Sequence, residues 1–274
     1  MTNTREQPAV RFVELAQREV TLCVARSGSS DATTERPLVV LGGTGSDLRN
    51  HPNAFAWPVA KHFEVMAYDH RGLGRSTQVV EDYQPTMADF ALDALALCDA
   101  EGIGEFDLIG VSFGGMVAQE VAIAAGDRVQ SLVLCCTSSG GAGQASYPLH
   151  EFYARGERHE DNVEIWDTRA ATNPVIAQQM RAIFSVRERP AEPPAGLLRQ
   201  IEARRGHDTY DRLDQIMADT LVAFGEYDGV APPENSAAIA RRIPNAETAS
   251  FDGGHMFLAQ DRSSWPTIID FLLN

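Results

Sequence analysis

Short apolar runs alternate along this chain with stretches of helical period. Residues 37–41 are continuously apolar and end in Gly42-Gly43, the form of a strand buried on both faces. Similar runs lie at 63–68, 106–111, 131–136, 220–224 and 247–251, and 20–24 reads as one strand of an N-terminal hairpin. Between them the period changes. Thr86-Met87-Ala88-Asp89 resembles a capping box with Asp in place of Glu and opens a helix to about position 100. On that helix Met87, Phe90, Ala91, Ala94, Leu95 and Cys98 recur on one face. Further helices are expected at 116–125, 233–242 and 263–273. Strands separated by helices predict an α/β fold with a mostly parallel twisted sheet.

One stretch breaks the alternation. From 138 to 215 there is no clear β-run, only helical patterns at 162–172, 174–185 and 196–205. So long an insertion between two strands predicts an appended helical subdomain rather than a loop. The expected organisation is a core of 1–137 and 216–274 with a helical lid of 138–215 over the carboxyl ends of the strands.

Composition narrows the partners. The 274 residues carry a formal charge of −15, which disfavours nucleic acid and anionic membrane surfaces. No apolar run approaches the roughly 20 residues that span a bilayer. The first eight residues lack the apolar region of a secretory signal. Cys23, Cys98, Cys135 and Cys136 sit in apolar stretches without a C-x-x-C pair, as buried free thiols do, and the adjacent Cys135 and Cys136 should face opposite ways. A cytoplasmic globular protein with a small-molecule partner is expected.

The sharpest chemical signal is Gly110-Val111-Ser112-Phe113-Gly114, followed by Gly115, where a strand gives way to a helix. A nucleophile elbow needs that arrangement, because a tight turn exposes the serine hydroxyl above the sheet. A nucleophilic serine needs a base, and the base an orienting carboxylate. His255, in Asp252-Gly253-Gly254-His255 after the last strand, is the best-placed base. Asp228, in Gly225-Glu226-Tyr227-Asp228, is the expected acid, with Glu226 and Asp252 as rivals.

The order Ser112, Asp228, His255 and four motifs from Leu41-Gly42-Gly43-Thr44-Gly45 to Gly253-Gly254-His255 make the whole chain resemble the α/β-hydrolase fold family. The nearest subgroup contains 3-oxoadipate enol-lactonases, small carboxylesterases and cofactor-free haloperoxidase-like enzymes. Asp69-His70-Arg71-Gly72-Leu73-Gly74-Arg75-Ser76 resembles the family's D-x-R-G-x-G-x-S turn, a structural support of the site rim. Gly206-His207-Asp208 with Asp211-Arg212-Leu213 resembles the segment before the acid-bearing strand, which makes His207 a packing residue. The resemblance implies an oxyanion hole from the backbone N–H groups of Phe113 and Thr44, although Gly42 stands where the family usually has His.

The implied activity is hydrolysis of a small ester or lactone through an acyl-enzyme on Ser112, without cofactor or metal. A C–C bond hydrolase, a thioesterase, a proline iminopeptidase, a haloperoxidase-like enzyme and a non-catalytic binding protein remain alternatives. Epoxide hydrolases and haloalkane dehalogenases need Asp where this chain has Ser112. Gly43-x-Gly45 is no dinucleotide fingerprint, since Leu48 occupies the third glycine position. The histidines and cysteines show no metal-ligand spacing. In the insertion, Tyr147, Phe152, Trp166, Met180 and Phe184 are either pocket lining or core. Arg155, Arg158 and Arg181 are either receptors for a substrate carboxylate or a solvated face.

Overall fold

A computed structural model describes residues 8–27, 36–50, 52–78, 82–145, 147–158, 161–185 and 192–274. The first seven residues and parts of the predicted insertion, 159–160 and 186–191 among them, lie outside the described residues. Eight strands form one sheet: β1 (Val10–Leu15), β2 (Val20–Ser27), β3 (Leu38–Leu41), β4 (Val65–Tyr68), β5 (Phe106–Val111), β6 (Val129–Cys135), β7 (Asp219–Gly225) and β8 (Ala246–Phe251). Their spatial order is β1-β2-β4-β3-β5-β6-β7-β8. The hairpin β1–β2 joins β4 antiparallel, and every pairing from β4 across to β8 is parallel.

The central strands are buried on both faces, as their unbroken apolar character requires. In β3, Val39 and Leu41 pack into one apolar cluster while Leu38 and Val40 enter the other. Helices α1 (Met87–Ala100) and α2 (Phe113–Ala125) cover the first face with α7 (Pro233–Arg242). On α1 the six predicted core positions are all buried. Its capping box is formed: Thr86 Oγ1 accepts from Asp89 N at 3.2 Å, and Thr86 N donates to Asp89 Oδ2 at 2.9 Å. The C-terminal helix α8 (Ser264–Leu273) seals the opposite face through Ile268, Ile269 and Leu272.

The β6–β7 connection forms α3 (Leu149–Ala154), α4 (Val163–Trp166), α5 (Pro174–Ser185) and α6 (Ala195–Arg205) and adds no strand to the sheet among its described residues. Phe152, Trp166, Met180 and Phe184 are buried in an apolar cluster of their own, with Tyr147 packed against it. They are core first. The predicted helix at 162–172 is instead two short pieces: Asp167 is extended and its carboxylate accepts from Arg169 N at 3.0 Å, starting a new turn over Thr168–Ala171. The expectation for Cys135 and Cys136 fails. Both join the same cluster, because β6 ends at Cys135 and Cys136 turns at φ 43°. All four thiols are free and buried.

Candidate active site

The sharp turn between β5 and α2 is a single residue. Ser112 sits at φ 55°, ψ −112°, a conformation that costs a residue with a side chain about 1–3 kcal/mol. Its surroundings hold it there. Ser112 N donates to Cys135 O at 2.9 Å, and Ser112 O accepts from Thr137 Oγ1 at 2.8 Å. The flanking glycines allow the close approach: a Cβ on Gly110 would lie 2.4 Å from Gly114 O, and one on Gly114 2.1 Å from Leu41 O.

Asp228 follows β7 and His255 follows β8, neighbouring parallel strands whose carboxyl ends bring the two loops together. A Cβ on Gly225 would meet Gly254 O at 2.2 Å, so the loops pack backbone on backbone. His255 Nε2 lies 3.0 Å from Ser112 Oγ, and His255 Nδ1 lies 2.7 Å from Asp228 Oδ2. The other Asp228 oxygen accepts from Val230 N at 2.8 Å and Ala231 N at 2.9 Å. All three side chains are buried, Ser112 retaining 9% of its surface. The order of contacts fixes what the site can do. The carboxylate accepts from Nδ1–H, which leaves Nε2 as the acceptor facing the serine hydroxyl.

The rivals for the acid are elsewhere. Glu226 is exposed, and Asp252 is an exposed partner of Arg169 at 2.5 Å. Asp69 is fully buried beneath the rim, accepting from Leu48 N at 2.6 Å and Arg75 N at 2.8 Å. Burial raises its carboxyl above the usual range. His207 is buried with its Nε2 3.5 Å from Thr209 Oγ1, a packing position; burial pushes its imidazole down to about 3.

The loop after β3 passes directly over the elbow. A Cβ on Gly43 would stand 3.7 Å from Ser112 Cβ. Among the described residues the N–H groups of Thr44 and Phe113 donate to no protein acceptor, and Phe113 opens α2, where the first N–H groups lack helical partners. Beneath, His70 is edge-on to Tyr68, Phe90 and Phe113, and its burial lowers the ring to about 4.

Several contacts of the site could not be read from the sequence. His255 N donates to Trp166 O at 2.6 Å, and the Trp166 ring meets the imidazole edge-on at 5.2 Å. From α6, Gln200 Oε1 accepts from Gly45 N at 2.9 Å and Arg204 Nη1 lies 3.4 Å from Thr44 Oγ1. Arg155 and Arg181 are exposed and Arg158 half-buried. One grouping of ligand-type side chains arises only in the folded chain. Ligand atoms of Cys136, Asp228 and His255 lie within 4.8 Å of one another, a grouping that joins three distant loops. A cation there would have to displace the Nδ1–carboxylate bond and deprotonate a thiol that burial, then the Asp228 charge, push well above its usual range.

Comparison with known proteins finds hydrolases. The chain is 29% identical to a poly(3-hydroxyalkanoate) depolymerase of Ectopseudomonas oleovorans over 97% of its own length and 93% of the relative's. It is 26% identical to a proline iminopeptidase of Pestalotiopsis fici, covering 87% of this chain and 89% of that one. The enol-lactonase of Burkholderia xenovorans LB400 superposes with a TM-score of 0.74 at 25% identity, covering 96% of this chain and 100% of the other. Residues 36–261 match the model of the alpha/beta hydrolase fold, and with that span added to the eight-stranded sheet the chain belongs to the alpha/beta hydrolase family.

Proposed function

We propose that this hydrolase cleaves a small-molecule carboxylic ester or lactone through an acyl-enzyme on Ser112. The observation that carries the reading is the hydrogen-bonded series from Ser112 Oγ through His255 to Asp228, at 3.0 and 2.7 Å. Ser112 Oγ attacks the ester carbonyl carbon as its proton passes to His255 Nε2. Asp228 holds the ring in the competent tautomer and stabilises its cationic form. The carbonyl oxygen, now negative, is received by the N–H groups of Phe113 and Thr44. One such donor is worth about 3 kcal/mol of barrier.

The C–O bond then breaks, and the leaving alkoxide takes the proton from His255. Water attacks the acyl carbon, gives its proton to His255, and Ser112 is released as the hydroxyl while the acid departs. The polyester in the depolymerase relative's name and the lactone in the enol-lactonase neighbour's both present the bond this sequence of steps breaks.

The division into a core of 1–137 and 216–274 and a lid of 138–215 belongs to the same reading. It is supported by the apolar cluster of α3–α6, which takes in Val230 beside Asp228 and Met256 beside His255. Four free buried thiols support a reducing, cytoplasmic setting. The test is covalent: a fluorophosphonate probe labels the protein once, peptide mapping finds the adduct on Ser112, and Ser112→Ala abolishes both label and ester turnover. Labelling at another residue, or turnover that survives Ser112→Ala, refutes the assignment.

A further inference from the structure

The loop after β3 has little stiffness of its own. Three of its four residues, Gly42-Gly43-Thr44-Gly45, are glycines, and no side chain braces it from position 42, where the family usually has His. Ser46 N donates to Gly43 O at 3.0 Å, closing a four-residue turn in which Gly45 takes φ 70°. Thr44 is the first of the two central residues of that turn. An oxyanion donor lowers a barrier only if it is already fixed when the charge develops. Something outside the loop has to hold it.

That restraint comes from the insertion. Gly196 and Gln200, four residues apart on one face of α6, both meet the core. A Cβ on Gly196 would run into Gly72 O, so the helix lies directly on the backbone of the rim. Leu197 packs on the turn, its Cδ1 3.3 Å from where a Gly45 Cβ would stand. Gln200 Oε1 accepts from Gly45 N at 2.9 Å, the bond that ties the helix to the turn. The Gln200 side chain is fully buried, and its Nε2 has no hydrogen-bond partner among the described residues. A buried amide with an unpaired NH2 costs the fold more than an apolar side chain of that length. What Gln200 contributes therefore lies at Oε1.

We infer that Gln200 is a positioning residue of the oxyanion hole: from α6 it clamps the Gly43–Ser46 turn, and so aims Thr44 N–H at the carbonyl oxygen of a substrate held at Ser112. The inference rests on the hydrolase reading above and adds a dependence of the chemical step on the docking of α6. Gln200 touches no reacting atom and acts through the Gly45 amide alone.

The test compares Gln200→Met, of similar length but without the acceptor, with Gln84→Ala. Gln84 Nε2 donates to Arg199 O at 3.0 Å, a bond that also fastens α6 but lies away from the turn. On 4-nitrophenyl acetate, Gln200→Met lowers kcat at least about tenfold, toward the roughly 10²–10³ of a donor removed outright, and leaves KM within about twofold. A short alkyl trifluoromethyl ketone reads the hole directly. Ser112 Oγ adds to its carbonyl carbon, the hydroxyl proton passes to His255, and the ketone oxygen becomes the anion; its Ki rises by the factor that kcat/KM loses. Gln84→Ala keeps both constants. A kcat unchanged in Gln200→Met, a loss confined to KM, or an equal loss of kcat in Gln84→Ala overturns the clamp. In the unaltered protein the Gly45 amide exchanges slowly with solvent deuterium by NMR; exchange as fast as in an open loop overturns the clamp whether or not Gln200→Met folds. If Ser112 takes the fluorophosphonate and Gln200→Met keeps its kcat, the clamp fails and the hydrolase stands. If the unaltered protein cleaves no ester and Ser112 is not labelled, both fall.

Discussion

Replacing Asp228 by Asn tests the roles of all three central residues at once. The carboxylate makes three hydrogen bonds, two from the N–H groups of Val230 and Ala231 to Oδ1 and one from His255 to Oδ2. An asparagine has one acceptor oxygen, and two fixed backbone donors at 2.8 and 2.9 Å claim it. The amide NH2 is then left facing His255 Nδ1 and must donate to it. The imidazole moves its proton to Nε2, which now donates toward Ser112 instead of accepting. With the base in the wrong tautomer, kcat should fall about 10⁴-fold, as the same exchange does in serine proteases. That is about 5 kcal/mol of barrier. The backbone bonds survive, so the melting temperature should change little. Asp228→Ala, by contrast, orphans two buried donors at about 1–3 kcal/mol each and should melt lower as well. The assay is kcat on 4-nitrophenyl acetate beside thermal denaturation. A well-folded Asp228→Asn that keeps more than about a tenth of the activity refutes the tautomer argument.

Two further expectations concern the scaffold. Gly114→Ala drives a methyl group toward the Leu41 carbonyl, to 2.1 Å without relaxation, and should lower stability by about 3 kcal/mol in urea denaturation. An unchanged midpoint would mean that the elbow has slack. His70 is held down to about 4 by burial, whereas the unfolded chain takes up its proton near 6.5. Its contribution is therefore whole above about pH 6.5 and drains away as pH falls toward 4, on the order of 3 kcal/mol. His70→Phe, among three aromatic rings, should show a shallower fall in melting temperature between pH 7 and 5; a parallel fall would move the acid sensitivity elsewhere.

What could be read from the sequence was whatever local chemistry fixes. The capping box at Thr86, the elbow at Ser112 and the loop positions of Asp228 and His255 each follow from a few adjacent residues. The break in the 162–172 segment does not. Asp167 there accepts from Arg169 next to it and from Gln260 far along the chain, and the resulting turn frees Trp166 O for His255. Arg204 was equally hidden. In Glu202-Ala203-Arg204-Arg205 it reads as the charged end of a solvated helix, and only contact with the Gly45 loop turns that face inward. Cys136 shows the same limit at one residue, where a positive φ past the strand end overrides strict alternation.

The bond from His255 N to Trp166 O couples two properties that could otherwise vary independently. Side chains on α5 and α6 that do not pack on Trp166, as Phe184 does at 4.6 Å, can change without disturbing the proton relay. The backbone at Trp166 has no such freedom, because any drift there tilts the imidazole. New specificities in this scaffold should therefore arise from the later half of the insertion, while its middle stays fixed by the needs of the base.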